Sequence, residues 1–176
     1  MAAHLRDRGF TTRVWNDGML RSTRVRLDPR VELTWWTNWH AQMRPLHEAV
    51  EAGHGIVNVN DGMLYHVLGE NAGYRYPTAQ RLWDADWHAG LFPALPGGVR
   101  QEITRPYPAL LRGCSFAIWS DVPGAQTPAE VAAGVRAPLR AMAERAWNGG
   151  SQLSLAEFSA LDAALGGWES ERPVSE

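Results

Sequence analysis

The chain has 176 residues, 45% hydrophobic and 20% charged, a composition that belongs to a folded globular domain and excludes a disordered one. A formal charge of −2 leaves no basic field for nucleic acid or an anionic membrane, no apolar run reaches the roughly 18 residues of a membrane span, and the opening MAAHLRDRGF lacks the layout of a secretory signal, so a soluble chain without nucleic-acid or membrane partners is expected. The single cysteine, Cys114, excludes an internal disulfide and a cysteine zinc cage, and the six histidines show no metal-ligating spacing and read as surface or loop residues, so neither a metal nor a cofactor is expected.

In chain order, Met1 to Arg8 reads as the last turns of a helix stopped by Gly9, the opening expected of a chain that is the later part of something longer. Thr11 to Trp15 reads as a strand that runs into the turn Asn16-Asp17-Gly18. Val31 to Trp36 (VELTWW) is a second strand, and Met43 to Ala52 a short amphipathic helix ended by Gly53. Gly55 to Asn60 is a third strand, delivering Asp61, Gly62, Met63, Leu64 and Tyr65 beyond its carboxyl end.

Gly69 to Arg105 is rich in glycine, proline and aromatics without long periodicity, apart from a turn or two of helix between Thr78 and Leu91. It reads as a long binding or lid loop carrying Tyr74, Tyr76, Trp83 and Trp87. Gly113 to Asp121 (GCSFAIWSD) reads as one strand buried on both faces. A helix follows from Pro128 to Trp147, with Thr127 as N-cap and Glu130 closing a capping box, and another runs from Ser154 to Leu165 with a second box, Ser154 and Glu157.

Four strands alternating with helical or looped connections, each with polar or aromatic residues at its carboxyl end, is the grammar of a barrel or open parallel sheet. No glycine-rich phosphate fingerprint marks a strand-to-helix turn, which counts against a nucleotide site. Tryptophan is abundant, with nine copies, and two of them stand in the same setting. Trp15 and Asp17, like Trp119 and Asp121, lie two residues apart just beyond a strand, so at a period of two each pair leaves one face together. An aromatic plate beside an acceptor suits a pyranose, which has apolar faces and a hydroxyl rim. For Trp119 and Asp121 the alternative is an ordinary core indole and a turn residue before Pro123-Gly124. Trp147 and Trp168 read as packing residues of the outer helices.

Five motifs, VWND at Val14 to Asp17, VELTWW at Val31 to Trp36, LYHVLG at Leu64 to Gly69, GCSFAIWSD at Gly113 to Asp121 and AMAERAWNG at Ala141 to Gly149, together resemble the carboxyl-terminal half of glycoside hydrolase family 20. That family contains the β-N-acetylhexosaminidases and lacto-N-biosidases, many of them secreted. The resemblance implies an α/β fold, a partial TIM (β/α)₈ barrel made of strands five to eight with outer helices. Residues 1–168 would form this half-barrel and residues 169–176 a polar tail.

It also implies a retaining, substrate-assisted hydrolysis of terminal β-linked N-acetylhexosamine or lacto-N-biose from a glycan, in which the 2-acetamido carbonyl of the sugar attacks the anomeric carbon. By the same resemblance Tyr65 would be the catalytic donor to the acetamido oxygen. Trp15, with Asp17 beside it, and Trp36, or in its place Trp35, would wall the pocket; Trp119 would form its floor, and Asp121 would accept from outer hydroxyls.

Two departures follow from the comparison of motifs. Where many members carry an aspartate two residues after the tyrosine, this chain has Val67. The family's adjacent Asp-Glu acid pair has no counterpart here, since no aspartate is followed by a glutamate. The chain alone is therefore expected to be inactive, its partner being the missing amino-terminal half-barrel or a second copy. A non-catalytic carbohydrate-binding protein and a split-barrel subunit are the alternatives.

Overall fold

Period-two alternation in four short segments decides the architecture, because it gives a sheet one face that must be covered. The computed structural model describes residues 1–19, 21, 24, 26–149 and 152–166. The chain passes through helix α1 (Ala2–Arg6), strand β1 (Arg13–Trp15), a helical turn α2 (Asn16–Met19), strand β2 (Glu32–Trp35), helix α3 (Leu46–Glu51) and strand β3 (Ile56–Asn58). A helical turn α4 (Asp61–Leu64), strand β4 (Tyr65–Val67), a 3₁₀ segment (Leu68–Gly73) and helix α5 (Ala79–Asp84) follow. A hairpin of β5 (Leu91–Leu95) and β6 (Val99–Glu102) leads to β7 (Leu111–Cys114), β8 (Ala117–Trp119) and helices α6 (Pro128–Trp147) and α7 (Leu155–Ala164).

The main sheet has the order β1-β2-β3-β7 and every pairing in it is parallel. β4 and β8 form a second parallel pair, in register Tyr65 to Ala117 and Val67 to Trp119. Because β4 follows β3 and β8 follows β7, the last two staves are each broken into a lower and an upper piece. Four parallel staves with helices make the α/β fold a partial (β/α)₈ barrel, as the alternation of the sequence leads one to expect.

The two faces divide the work. Leu33 and Trp35 of β2 and Ile56 of β3 are buried against Leu46 and Ala49 of α3 and Phe92 and Ile103 of the hairpin region, with Val14 and Leu111 packed at the margin. Trp35 meets Phe92 edge to face at 6.3 Å, a contact worth about 0.5–1.5 kcal/mol beyond its area. The alternate residues Arg13, Glu32, Trp15 and Thr34 turn to the opposite, inner face, in register across β1 and β2. There Glu32 accepts from Arg13 at 2.7 Å and from Arg112 of β7 at 3.0 Å, so one carboxylate joins the first and last strands of the sheet. Gly55 makes room for this: a Cβ there would stand 3.0 Å from both Arg112 Nε and Glu32 Cγ.

Several expectations are corrected. Gly113 to Asp121 is two strands and not one, broken at Ser115-Phe116, and it is not buried on both faces: Ile118 and Trp119 are 52% and 38% exposed. The reason is that β8 pairs with β4 alone, so its other edge and much of its surface stay open. The segment 69–105 is not one long loop, although Ala72 and Tyr74 from it do line the cavity described below. Leu82 and Trp87 are core residues, packed with Leu64, Leu91, Ala141 and Phe158, and the antiparallel β5–β6 hairpin fills its second half. Pro93 inside β5 masks that strand in the sequence, since proline cannot donate to a ladder and settles at edges.

His54, His66 and His88 are buried, not surface residues: His54 Nδ1 lies 2.8 Å from the Val31 carbonyl, and His66 Nε2 lies 2.8 Å from Gln126 Oε1. Trp147 is 91% exposed and does not pack, whereas Trp168 and the tail 169–176 lie outside the described residues. The buried Arg145 of α6 donates to the Trp87 carbonyl and pairs with Asp86, tying α6 to the segment that follows α5.

Candidate functional site

Residues from every stave meet at the carboxyl ends of the strands. Trp15, Asp17, Trp36, Tyr65, Val67, Ala72, Tyr74, Trp119 and Asp121 line one cavity of about 490 Å³. Trp15, Asp17, Trp36, Tyr65, Trp119 and Asp121, spread over more than a hundred positions of sequence, are thus brought together. Trp35 is not: it lies in the core on the other face, fully buried, its indole donating to Asn38 Oδ1 at 2.7 Å. Adjacent residues of a strand point to opposite faces, so only one of the two tryptophans can reach the cavity.

The aromatic walls hold one another. Trp36 and Tyr65 stack with planes 1° apart and centroids 5.8 Å apart, Trp15 meets Trp36 edge-on at 6.5 Å, and Trp119 lies 5.9 Å from Trp15 and 5.6 Å from Tyr65. Polar contacts then fix the set. Asn16, fully buried, donates to the Thr37 carbonyl at 2.8 Å and accepts the backbone N–H of Trp36 at 3.0 Å, locking the end of β1 to the end of β2. The Trp36 indole donates to Asp17 Oδ1 at 3.2 Å, and Asn71 donates to Asp121 Oδ2 at 3.3 Å. Each aspartate keeps acceptor capacity for a ligand.

Tyr65 and Tyr74 share the inner wall, 5.7 Å apart. Burial, followed by the nearby Asp61 carboxylate, pushes the Tyr65 phenol well above its ordinary range, and burial with the same carboxylate pushes Tyr74 up to about 12. Both are therefore protonated at neutral pH, and the Tyr74 hydroxyl donates to Asp61 Oδ2 at 3.4 Å. Burial also raises Asp61 above the usual aspartate value, although Thr37, the backbone N–H of Gly62 and Tyr74 all donate to it.

Ala72 is a wall residue the sequence does not announce, and Tyr74 is announced only as part of a segment read as a binding or lid loop. They arrive from the turn after β4, where Gly69, Glu70 and Ala72 take positive φ of 77°, 50° and 55°. The one signal for Tyr74 is its place in a segment rich in glycine and aromatics. Among the described residues no cluster of histidine, cysteine, aspartate and glutamate could hold a metal ion, and no helix is long and apolar enough to cross a membrane.

No family model matches the chain. It is 26% identical over 145 residues to the lacto-N-biosidase of Bifidobacterium bifidum, a stretch that is 82% of this chain and 12% of that protein. Among solved structures it matches Dispersin B with a TM-score of 0.61 and 20% identity, covering 80% of this chain and 44% of the other. It also matches the tandem GH20 catalytic modules of the pneumococcal exo-β-D-N-acetylglucosaminidase StrH with a TM-score of 0.55 and 20% identity, over 81% of this chain and 34% of that one. A further StrH structure, concerned with N-glycan recognition and hydrolysis, gives 0.56 and 19% over the same shares. The fold is accordingly part of a (β/α)₈ barrel of the kind that glycoside hydrolases of family 20 build. The resemblance carried by the five motifs is met by a curated relative and by solved structures alike, and the chain spans less than half the length of each.

Proposed function

We propose that this chain forms the sugar pocket of a retaining, substrate-assisted glycoside hydrolase acting on terminal β-linked N-acetylhexosamine, or lacto-N-biose, of a glycan. The observation that carries the reading is the convergence of Trp15, Trp36, Tyr65, Trp119 and Asp121 on one cavity at the strand ends. In this reading the acetamido carbonyl oxygen attacks the anomeric carbon as the glycosidic bond breaks, and water later opens the cyclic intermediate. Trp15, Trp36 and Trp119 confine the acetamido group near the carbon it attacks, which raises its effective molarity. Tyr65 donates to the acetamido oxygen, a role for which its raised pKa is suited. Asp121 and Asp17 accept from sugar hydroxyls.

The proton for the leaving oxygen would come from an acid that this chain does not carry. Residues 1–168 act as the carboxyl-terminal half of a barrel and 169–176 as a tail, with the amino-terminal half or a second copy as partner. The missing Asp-Glu pair also favours a second reading, a carbohydrate-binding protein that holds the sugar without cleaving it.

The test is a side-by-side assay, on a chromogenic β-N-acetylglucosaminide, of the 176-residue chain and of a barrel completed with an amino-terminal half. The short chain should give no turnover above background, since general-acid assistance alone is worth about 10²- to 10⁴-fold. In the completed barrel turnover should appear, and Tyr65→Phe should lower kcat while leaving the fold intact. Robust turnover by the short chain would overturn the reading.

A further inference from the structure

The hydroxyls of the two tyrosines of the cavity wall have different parts. Tyr65 lines the cavity with its ring stacked on Trp36, and in the proposed reading its phenol is the donor to the sugar. The Tyr74 hydroxyl instead donates to Asp61 Oδ2 at 3.4 Å, so its hydrogen is committed behind the wall and the cavity meets its lone pairs. Asp61 is itself pinned: the Gly62 backbone N–H donates to its other oxygen at 2.9 Å. An ionised carboxylate is acceptor-only, so it holds the Tyr74 hydrogen in this one direction. Beside Tyr74 the wall is Val67 and Ala72, whose side chains offer no polar atom. At the rim Asn71 likewise spends its donor on Asp121 Oδ2, leaving Oδ1 as an acceptor.

We propose that Tyr74, backed by Asp61, accepts a hydrogen bond from a hydroxyl of the bound sugar on the side where Val67 supplies no acceptor, and that Asp61 is the positioning residue that keeps Tyr74 in that sense. The inference rests on the sugar-pocket reading and deepens it. The cavity then presents one phenolic donor, Tyr65, and three acceptors, Tyr74, Asp17 and Asp121. A 2-acetamido sugar has the complement, a carbonyl that accepts and ring hydroxyls that donate.

The experiment titrates the 176-residue chain with N-acetylglucosamine and its monodeoxy analogues. Binding is followed by saturation-transfer NMR and tryptophan fluorescence in whatever oligomeric state the chain adopts. Tyr74→Phe keeps the ring and removes the oxygen, and should weaken binding of the parent sugar about three- to tenfold, the worth of one hydrogen bond. Against one monodeoxy analogue wild type should already be weakened, and Tyr74→Phe should cost nothing further. Asp61→Asn should lose a similar factor and Asp61→Glu should regain part of it.

Equal losses for Tyr74→Phe against every analogue would mean the ring acts only as a wall, and would overturn the proposal. Binding that falls with Tyr65→Phe but not with Tyr74→Phe or Asp61→Asn would leave the sugar pocket standing and remove this inference alone. A wild-type chain that binds none of the sugars would remove both.

Discussion

Asp61 carries a charge that folding takes largely out of water, and its raised pKa records the cost. A carboxyl whose folded pKa lies above its unfolded value stabilises the fold below the unfolded value, and that contribution is lost as pH rises through the folded one. Asp61→Asn should therefore raise the thermal midpoint at pH 7, with the gain shrinking as pH falls through the carboxylate range. The phenols of Tyr65 and Tyr74 face Asp61 and stay protonated throughout, with the Asp17 carboxylate acting on Tyr65 and the Asp121 carboxylate on Tyr74. Glu32 runs the other way. Arg13, and after it Arg112, hold its pKa below the ordinary glutamate value, so its contribution is present at neutral pH and lost as pH falls through the folded pKa. Glu32→Gln should destabilise at pH 7 and cost progressively less in acid, as melting curves across pH would show. At this scale the sequence is legible where a role depends on neighbours in the chain. Trp15 with Asp17 and Trp119 with Asp121 could be read from their spacing, whereas the choice between Trp35 and Trp36 needed the strand's facing. The partnership of Tyr74 with Asp61 could not be read at all, because a turn through left-handed residues brings the two together.

Helix α6 owes its start to a reciprocal cap. Thr127 accepts the Glu130 backbone N–H while the Glu130 carboxylate accepts the Thr127 backbone N–H at 2.7 Å, with Pro128 pre-set at the first turn. Thr127→Ala should cost about 1 kcal/mol in a denaturant titration, with the slope unchanged. Such caps are written within four residues, which is why both long helices can be read to within a residue or so of their ends. The hairpin could not be, because what defines it lies outside it. Its entry depends on Gly90, where a Cβ would stand 2.2 Å from the Ile103 carbonyl oxygen, and Gly90 N–H and Tyr107 both reach His88 Nδ1. Gly90→Ala should open the junction of the hairpin with the outer core, read as faster amide exchange at Leu91 and Ile103 than in wild type. The break in the fourth stave is hidden in the sequence for a similar reason. A short apolar run looks continuous until its partners are known, and β7 and β8 have different ones.

Taken whole, the molecule is a sheet with one covered face and one open one. Among the described residues β1 is paired on one side only, as are β7 and β8, so hydrogen-bonding edges are free at both ends of the sheet. The open face is not a uniform apolar surface awaiting cover. It is aromatic at the carboxyl ends, where the cavity lies, and ionic at the amino ends, where Arg13, Glu32 and Arg112 meet. Those three side chains carry two positive charges and one negative. Whatever closes this face must approach a surplus cation, and a second copy laid against it would bring a matching one. Like charges repel, so a face-to-face pair should form more readily as salt screens them, and sedimentation should show self-association growing with ionic strength, contrary to a dimer held by ion pairs. Arg112→Glu should reverse that dependence. A strand set that presents an inward carboxylate at the same level would be drawn in instead.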